Sequence, residues 1–83
     1  MSSPARAPAR SSRTQEERSE ETRRAVLEAT VACLVELGYA RTTTLEVQKR
    51  AGVSRGALLH HFPSKAELLT ATVRYLAKLR GRD

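Results

Sequence analysis

The apolar residues of this chain recur at helical spacing in two long stretches, with a shorter group between them. The first stretch marks one face of a predicted helix 1 and consists of Val26, Leu27, Thr30, Cys33, Leu34 and Leu37. Gly38 follows and ends the helix, because glycine readily adopts the left-handed backbone that closes one. The last stretch marks helix 4, at about 65–80, and consists of Leu68, Leu69, Thr72, Leu76 and Leu79. No segment shows the alternation of a strand, so the pattern predicts an all-α protein.

Helix starts are indicated by a hydroxyl residue three positions before a glutamate, the spacing of a capping box. The pairs are Thr14 with Glu17 for helix 1, Thr43 with Glu46 for helix 2, and Ser64 with Glu67 for helix 4. Helix 3 has Ser54 as its cap and ends before Pro63. We therefore predict a three-helix, homeodomain-like helix-turn-helix bundle, followed by the start of a fourth, linker helix.

Residues 43–62 are the segment that predicts a function. They form two short predicted helices around a turn, in which Gly52 supplies a positive φ and Val53 fills the angle between the helices. The second helix of such a unit enters the major groove of DNA, and here it is helix 3, at about 54–61. Val47 and Ala51 are predicted to form the inner face of helix 2, with Leu45 as a further candidate. The predicted core is Leu27, Cys33, Leu34, Leu37, Val47, Val53, Leu58 and Phe62.

Composition limits the alternatives. The chain has 83 residues, enough for one small domain, and its single cysteine, Cys33, excludes a disulfide. Serine, proline, alanine and arginine dominate the start of the chain, so we predict a disordered basic arm over residues 1–15 and one domain over residues 16–83. No apolar run is long enough for a bilayer span or a signal peptide. We expect a cytoplasmic protein without a membrane partner.

The positive charge of the chain is concentrated on the helix-turn-helix. The net charge is +6, and residues 41–65 contain five basic side chains against one acidic, a local excess of +4. A basic run without a motif is usually only a solvated face. Its coincidence with a groove-binding motif instead predicts contact with DNA phosphates.

Other chemistry finds no support in the sequence. No combination of serine, histidine and aspartate and no pair of carboxylates suggests an active site, so we predict neither an enzyme nor a cofactor. His60 and His61 are adjacent, and adjacent residues on a helix point about 100° apart, which makes a poor metal chelate. We predict no metal site, with His60 facing the DNA backbone and His61 packed at the edge of helices 1 and 4.

The segment from Val26 to Leu69 resembles the DNA-binding domain of TetR-family transcriptional regulators. The matching stretches are 26–30 and Gly38-Tyr39, the threonines 42–44, Ala51 to Leu58 through the turn and helix 3, and His61 to Leu69 through the start of helix 4. Two positions depart from the usual pattern. Gln48 stands where the family commonly has a small residue, and Leu59 stands where it commonly has a DNA-contacting tyrosine.

The resemblance implies a homodimeric repressor that binds a palindromic operator in double-stranded DNA. In the family, a larger C-terminal domain dimerises and binds a small-molecule inducer. We expect that domain to be absent from this chain, so the chain alone is expected to be monomeric and to bind DNA weakly.

Candidate DNA contacts follow from the predicted helix ends. Arg55 lies in the first turn of helix 3, where arginine can pair with guanine, although a phosphate contact remains open. Gly56 allows close approach of the backbone to DNA. Thr43, Thr44 and Lys65 lie at helix N-termini that suit phosphates. The full predicted set is Thr43, Thr44, Ser54, Arg55, Gly56, Ala57, Leu59, His60 and Lys65.

A second hypothesis is a protein-interaction module that binds a partner through the apolar stripe of helix 4. The distribution of charge distinguishes the two, because the basic residues cluster on helices 2 and 3 and not around that stripe.

Overall fold

The protein is a bundle of four helices in a computed structural model that describes the backbone of residues 3–81 and the side chains of residues 15–81. The helices are α1 (Ser3–Leu37), α2 (Thr44–Ala51), α3 (Arg55–His61) and α4 (Lys65–Gly81). No strand occurs among the described residues, and the predicted all-α helix-turn-helix fold is confirmed. Helix α1 is central, since it packs against each of the other three helices.

The start of α1 differs from the prediction. The helix begins at Ser3 and not near residue 14, so Thr14 lies inside the helix and does not cap it. Residues 3–15, for which we predicted a disordered arm, are helical, while residues 1 and 2 lie outside the described residues. The alanines and arginines of this stretch are favourable helix formers. Pro4 falls in the first turn, where a missing N–H is tolerated, and Pro8 costs one backbone hydrogen bond.

The other three helix starts agree closely with the predicted ones. In each case a hydroxyl oxygen accepts a hydrogen bond from the backbone N–H three residues further on, which satisfies a donor that the helix itself leaves unpaired. The bonds are Glu46 to Thr43 at 3.1 Å, Ala57 to Ser54 at 3.1 Å and Glu67 to Ser64 at 3.2 Å. Gly38, with a φ of 87°, ends α1 as predicted and donates its N–H to the carbonyl of Leu34 at 3.1 Å.

The core lies between α1 and the other helices. Its buried apolar members are Val26, Leu27, Ala29, Cys33, Val47, Leu58, Phe62 and Leu68. Five of the predicted core residues are therefore confirmed. Leu37 and Val53 are partly buried against the cluster, whereas Leu34 is half-buried and lies outside it. Leu45, a candidate for the inner face of α2, is 57% exposed.

Helix α4 turns a different face to the core from the one that the sequence predicted. Leu68 and Thr72 are buried as expected, and Ala71 and Tyr75 pack beside them. Leu69 is half-buried, and the remaining large apolar side chains of the helix point outward. They include Val73 at 65%, Leu76 at 40% and Leu79 at 48% exposure. The inward face therefore follows positions 68, 71, 72 and 75, with the tyrosine in place of the later leucines.

Three buried threonines complete the interior without leaving a polar atom unpaired. Each hydroxyl donates to the carbonyl oxygen four residues earlier, at 2.8 Å. The pairs are Thr30 with Val26, Thr42 with Gly38, and Thr72 with Leu68. Among the described residues, no buried side-chain nitrogen or oxygen lacks a hydrogen-bond partner. The local bond removes the cost of burying each hydroxyl.

Candidate nucleic-acid interface

The turn between α2 and α3 is fixed by Gly52. Its φ of 70° lies in the left-handed region, and its N–H donates to the carbonyls of Gln48 at 3.0 Å and Lys49 at 3.3 Å. The N–H of Val53 also points to the Gln48 carbonyl, at 3.4 Å. Ser54 then caps α3. The predicted helix-turn-helix geometry is thus built by one glycine and one serine, at the positions that the sequence indicated.

Helix α3 has only seven residues, and its two sides differ sharply. Leu58 is 1% exposed, and Phe62, immediately after the helix, is 4% exposed. Both anchor the helix to the core. Arg55, Gly56 and His60 lie on the outer side and are exposed. The two remaining predicted contacts on this helix, Ala57 and Leu59, are half-buried.

Gly56 is not required by the packing of the protein itself. A Cβ atom added at this position would meet no atom within 4 Å, and its φ is not positive. The space outside α3 is therefore open at its first turn. A second molecule could approach the helix backbone there more closely than at any residue with a side chain.

The N-terminus of α2 presents its threonines differently. Thr43 is exposed as the cap, and its hydroxyl oxygen already accepts the N–H of Glu46. Thr44, the first residue of the helix, is half-buried. The hydroxyl proton of Thr43 remains available to donate, because the cap uses only its oxygen.

Lys65, at the start of α4, contacts the turn between α1 and α2. Its Nζ donates to the carbonyl oxygen of Tyr39 at 3.4 Å and lies 4.6 Å from the centroid of the tyrosine ring. The position of Lys65 at a helix N-terminus is confirmed, whereas this contact was not predicted from the sequence. No periodicity or spacing relates positions so far apart.

One basic residue of the charged segment is compensated within the protein. Arg50 forms an ion pair with Glu36, with 2.8 Å between Nη2 and Oε1, and so joins the ends of α1 and α2. The hydrogen bond to this carboxylate raises the pKa of Arg50 above its ordinary value. Without Arg50, the segment retains four basic residues against Glu46, an excess of +3; they are Arg41, Lys49, Arg55 and Lys65.

Gln48, the first of the two departures from the family pattern, leaves no buried polar atom unpaired. The residue is half-buried.

His61 lies beside α1, as expected for a residue at the edge of the bundle. It is half-buried, and desolvation lowers the pKa of its imidazole below the ordinary 6.5, helped by the positive charges of His60 and Arg23 and opposed by Glu20. Its ring lies 5.2 Å from that of His60, centroid to centroid. Within the described part of the chain, no group of three or more His, Cys, Asp or Glu residues could hold a metal ion.

The lowered pKa of His61 predicts a loss of stability on acidification. The unfolded chain binds a proton at this histidine more readily than the folded protein, so the stabilisation present above about pH 6.5 is lost as the pH falls through the folded pKa. We expect the urea midpoint to fall between pH 7 and pH 5.5, and to fall less in His61→Gln. Equal pH dependence of both proteins would contradict this assignment.

None of the helices described is both long and apolar enough to cross a membrane.

Comparisons with known proteins agree with this geometry. The sequence model of the family described as "Bacterial regulatory proteins, tetR family" matches residues 26–72, which include the turn and α3. CymR of Pseudomonas putida, an HTH-type transcriptional regulator, is 50% identical over 64 residues, 77% of this chain and 32% of that protein. BetI of Yersinia pestis, another such regulator, is 42% identical over 59 residues, 71% of this chain and 30% of that protein.

An uncharacterized HTH-type transcriptional regulator of Mycobacterium bovis is 45% identical over 60 residues, 72% of this chain and 31% of that protein. The chain thus aligns with about a third of the length of these relatives. No solved structure gave a significant match. Because the family match covers more than half of the chain and centres on the helix-turn-helix, the chain belongs to the tetR family of bacterial regulatory proteins.

Proposed function

We propose that this chain binds double-stranded DNA with α3 in the major groove, as the DNA-binding part of a bacterial transcriptional regulator. The observation that carries the proposal is the division of α3 into two sides. Leu58 fixes one side in the core, while Arg55 and Gly56 are exposed in the first turn of the other. Side chains at the N-terminal end of a recognition helix are the ones that contact base edges.

Arg55 is the proposed base contact. A guanidinium can donate two parallel hydrogen bonds to the O6 and N7 of guanine, which no other base pair accepts in the same way. Gly56 leaves the helix backbone accessible, and Ala57 and Leu59 offer small apolar surfaces to a thymine methyl group. Leu59 cannot donate the hydrogen bond that the tyrosine common at this position in the family provides.

The remaining predicted residues are proposed to bind phosphates. Thr43 and Thr44 lie at the N-terminus of α2, Ser54 at that of α3 and Lys65 at that of α4, where free N–H groups and the helix dipole favour an anion. His60 lies on the outer side of α3, toward the DNA backbone. Contacts of this kind fix the register of a protein on DNA without specifying sequence.

The wider role is proposed from what the resemblance to the family implies. We propose that the full regulator is a homodimeric repressor that binds a palindromic operator in the cytoplasm and is released by a small-molecule ligand. This chain aligns with about a third of the length of its relatives, and we propose that dimerisation and ligand binding belong to the remaining part of the full regulator. The exposed Val73, Leu76 and Leu79 of α4 support a contact between this helix and such additional sequence, which is also the surface that a protein-interaction module would use.

Binding to random duplexes at increasing salt tests the proposed function. Each phosphate contact releases counterions, so the logarithm of the affinity should fall linearly with the logarithm of the salt concentration. Binding that is absent at low salt, or that does not change with salt, would contradict the proposal and favour the interaction module.

Lys65→Ala should weaken binding to all duplexes by about the same factor and lower the salt slope by about one unit, because it removes one phosphate contact. Lys78→Ala is the matched control, since it removes the same charge from an exposed position near the other end of α4. We expect little change in slope for the control. Equal slopes for the two variants would show that net charge alone matters and that Lys65 binds no phosphate.

A further inference from the structure

Tyr39 and Lys65 are 26 positions apart in the sequence and in direct contact in the fold. The Lys65 Nζ lies over the tyrosine ring, 4.6 Å from its centroid, and 3.4 Å from the carbonyl oxygen of the same residue. We infer that Tyr39 is a positioning residue, which holds the Lys65 ammonium at the N-terminus of α4 for binding to a DNA phosphate. This inference rests on the proposed function.

The backbone around Tyr39 is well suited to hold a cation in one place. The Tyr39 carbonyl oxygen also accepts the N–H of Thr42 at 3.2 Å, which closes the turn between α1 and α2. Thr42 itself is 1% exposed, and its hydroxyl donates to the carbonyl of Gly38. The turn is therefore anchored in the core, and the carbonyl that receives the ammonium has a fixed direction.

The tyrosine side chain has no comparable role in the core. Tyr39 is 68% exposed, so burial of its ring contributes little to folding. An aromatic face attracts an ammonium electrostatically, and the contact leaves further N–H donors of Lys65 free for a phosphate. A long, flexible lysine that is already ordered loses less conformational entropy when it binds.

The contact itself can be tested without DNA. A ring face over the end of the Lys65 side chain shifts its Hε protons upfield in the NMR spectrum, whereas Lys49 serves as an internal reference. We expect the upfield shift to disappear in Tyr39→Ala and to persist in Tyr39→Phe, which retains the ring. A Lys65 signal that coincides with that of Lys49 in the unsubstituted protein would overturn the inference.

The functional part is tested by a double-mutant cycle on affinity for a random-sequence duplex. Tyr39→Ala should weaken binding about two- to five-fold, the range expected for an exposed cation–π contact. It should also lower the salt slope, as Lys65→Ala does. Tyr39→Phe should bind as the unsubstituted chain does. In the Lys65→Ala background, Tyr39→Ala should have no further effect, because the group it positions is gone.

The control is Val35→Ala, at a 79% exposed position near the end of α1, which should leave affinity and slope unchanged. An equal loss from Tyr39→Ala in both backgrounds would overturn the inference, since the tyrosine would then act independently of Lys65. If Lys65→Ala weakens binding and Tyr39→Ala does not, the positioning role alone is wrong. If the unsubstituted chain does not bind duplex DNA, the proposed function and the positioning role are both wrong.

Discussion

Leu58→Ala is expected to lower the free energy of unfolding by about 2–5 kcal/mol, the cost of the lost apolar contacts plus the cavity that remains. Leu58 is 1% exposed and belongs to the buried cluster that α3 shares with α1 and α2. Proteins of this size have only about 0.05–0.15 kcal/mol of stability per residue, so the substitution removes a large part of the total. Urea unfolding followed by circular dichroism measures the effect.

The matched control is Leu45→Ala, at a 57% exposed position on α2. The same atoms are removed there without a cavity, so we expect a change within about 0.5 kcal/mol. Similar urea midpoints for the two variants would mean that Leu58 does not anchor α3, and the orientation of α3 assigned above would be wrong.

Arg55→Ala is expected to cost about 1–3 kcal/mol of binding free energy at a preferred site and to relax the preference at one base pair. The reason is the loss of a bidentate contact to a base edge, which is specific to one position of the site. Sites selected from a random duplex pool by the unsubstituted chain provide the preferred sequence. A second selection with the variant then shows which position has lost its preference.

The control for this prediction is Arg74→Ala, which removes the same side chain from an exposed position of α4. It should leave the selected sequence unchanged and reduce the affinity only slightly through net charge. If Arg55→Ala yields the same selected sequence as the unsubstituted chain, Arg55 contacts a phosphate and the proposed base contact is incorrect.

Local signals predicted most of the fold. A cap, a glycine with positive φ and a helical period each depend on residues within about one turn, and the starts of α2, α3 and α4 agree with them. The predicted start of α1 near residue 14 was wrong, because the capping-box spacing of Thr14 and Glu17 can also occur inside a longer helix. The helix begins at Ser3 and continues through Thr14. A local motif cannot exclude a longer helix when the preceding residues favour one.

The register of α4 and the contacts between separate helices could not be predicted from the sequence pattern, because they depend on residues far apart in the chain. Several registers of α4 bury leucines, and in the observed one Tyr75 packs against the core while its hydroxyl donates to Glu28 at 2.9 Å. This hydrogen bond raises the pKa of Tyr75. The ion pair of Glu36 with Arg50 and the contact of Lys65 with Tyr39 likewise join separate helices or turns. The predicted DNA contacts stay predictions, since their partner is a second molecule.

The most direct test of the central claim is an NMR titration of the labelled chain with a random-sequence duplex at low salt. We expect the largest amide shifts at Thr43 and Thr44, at residues 54–57 of the turn and α3, and at Lys65, with a gradual loss as salt is added. Shifts confined to the outer face of α4, around Val73 and Leu76, with none in the first turn of α3, would contradict the account.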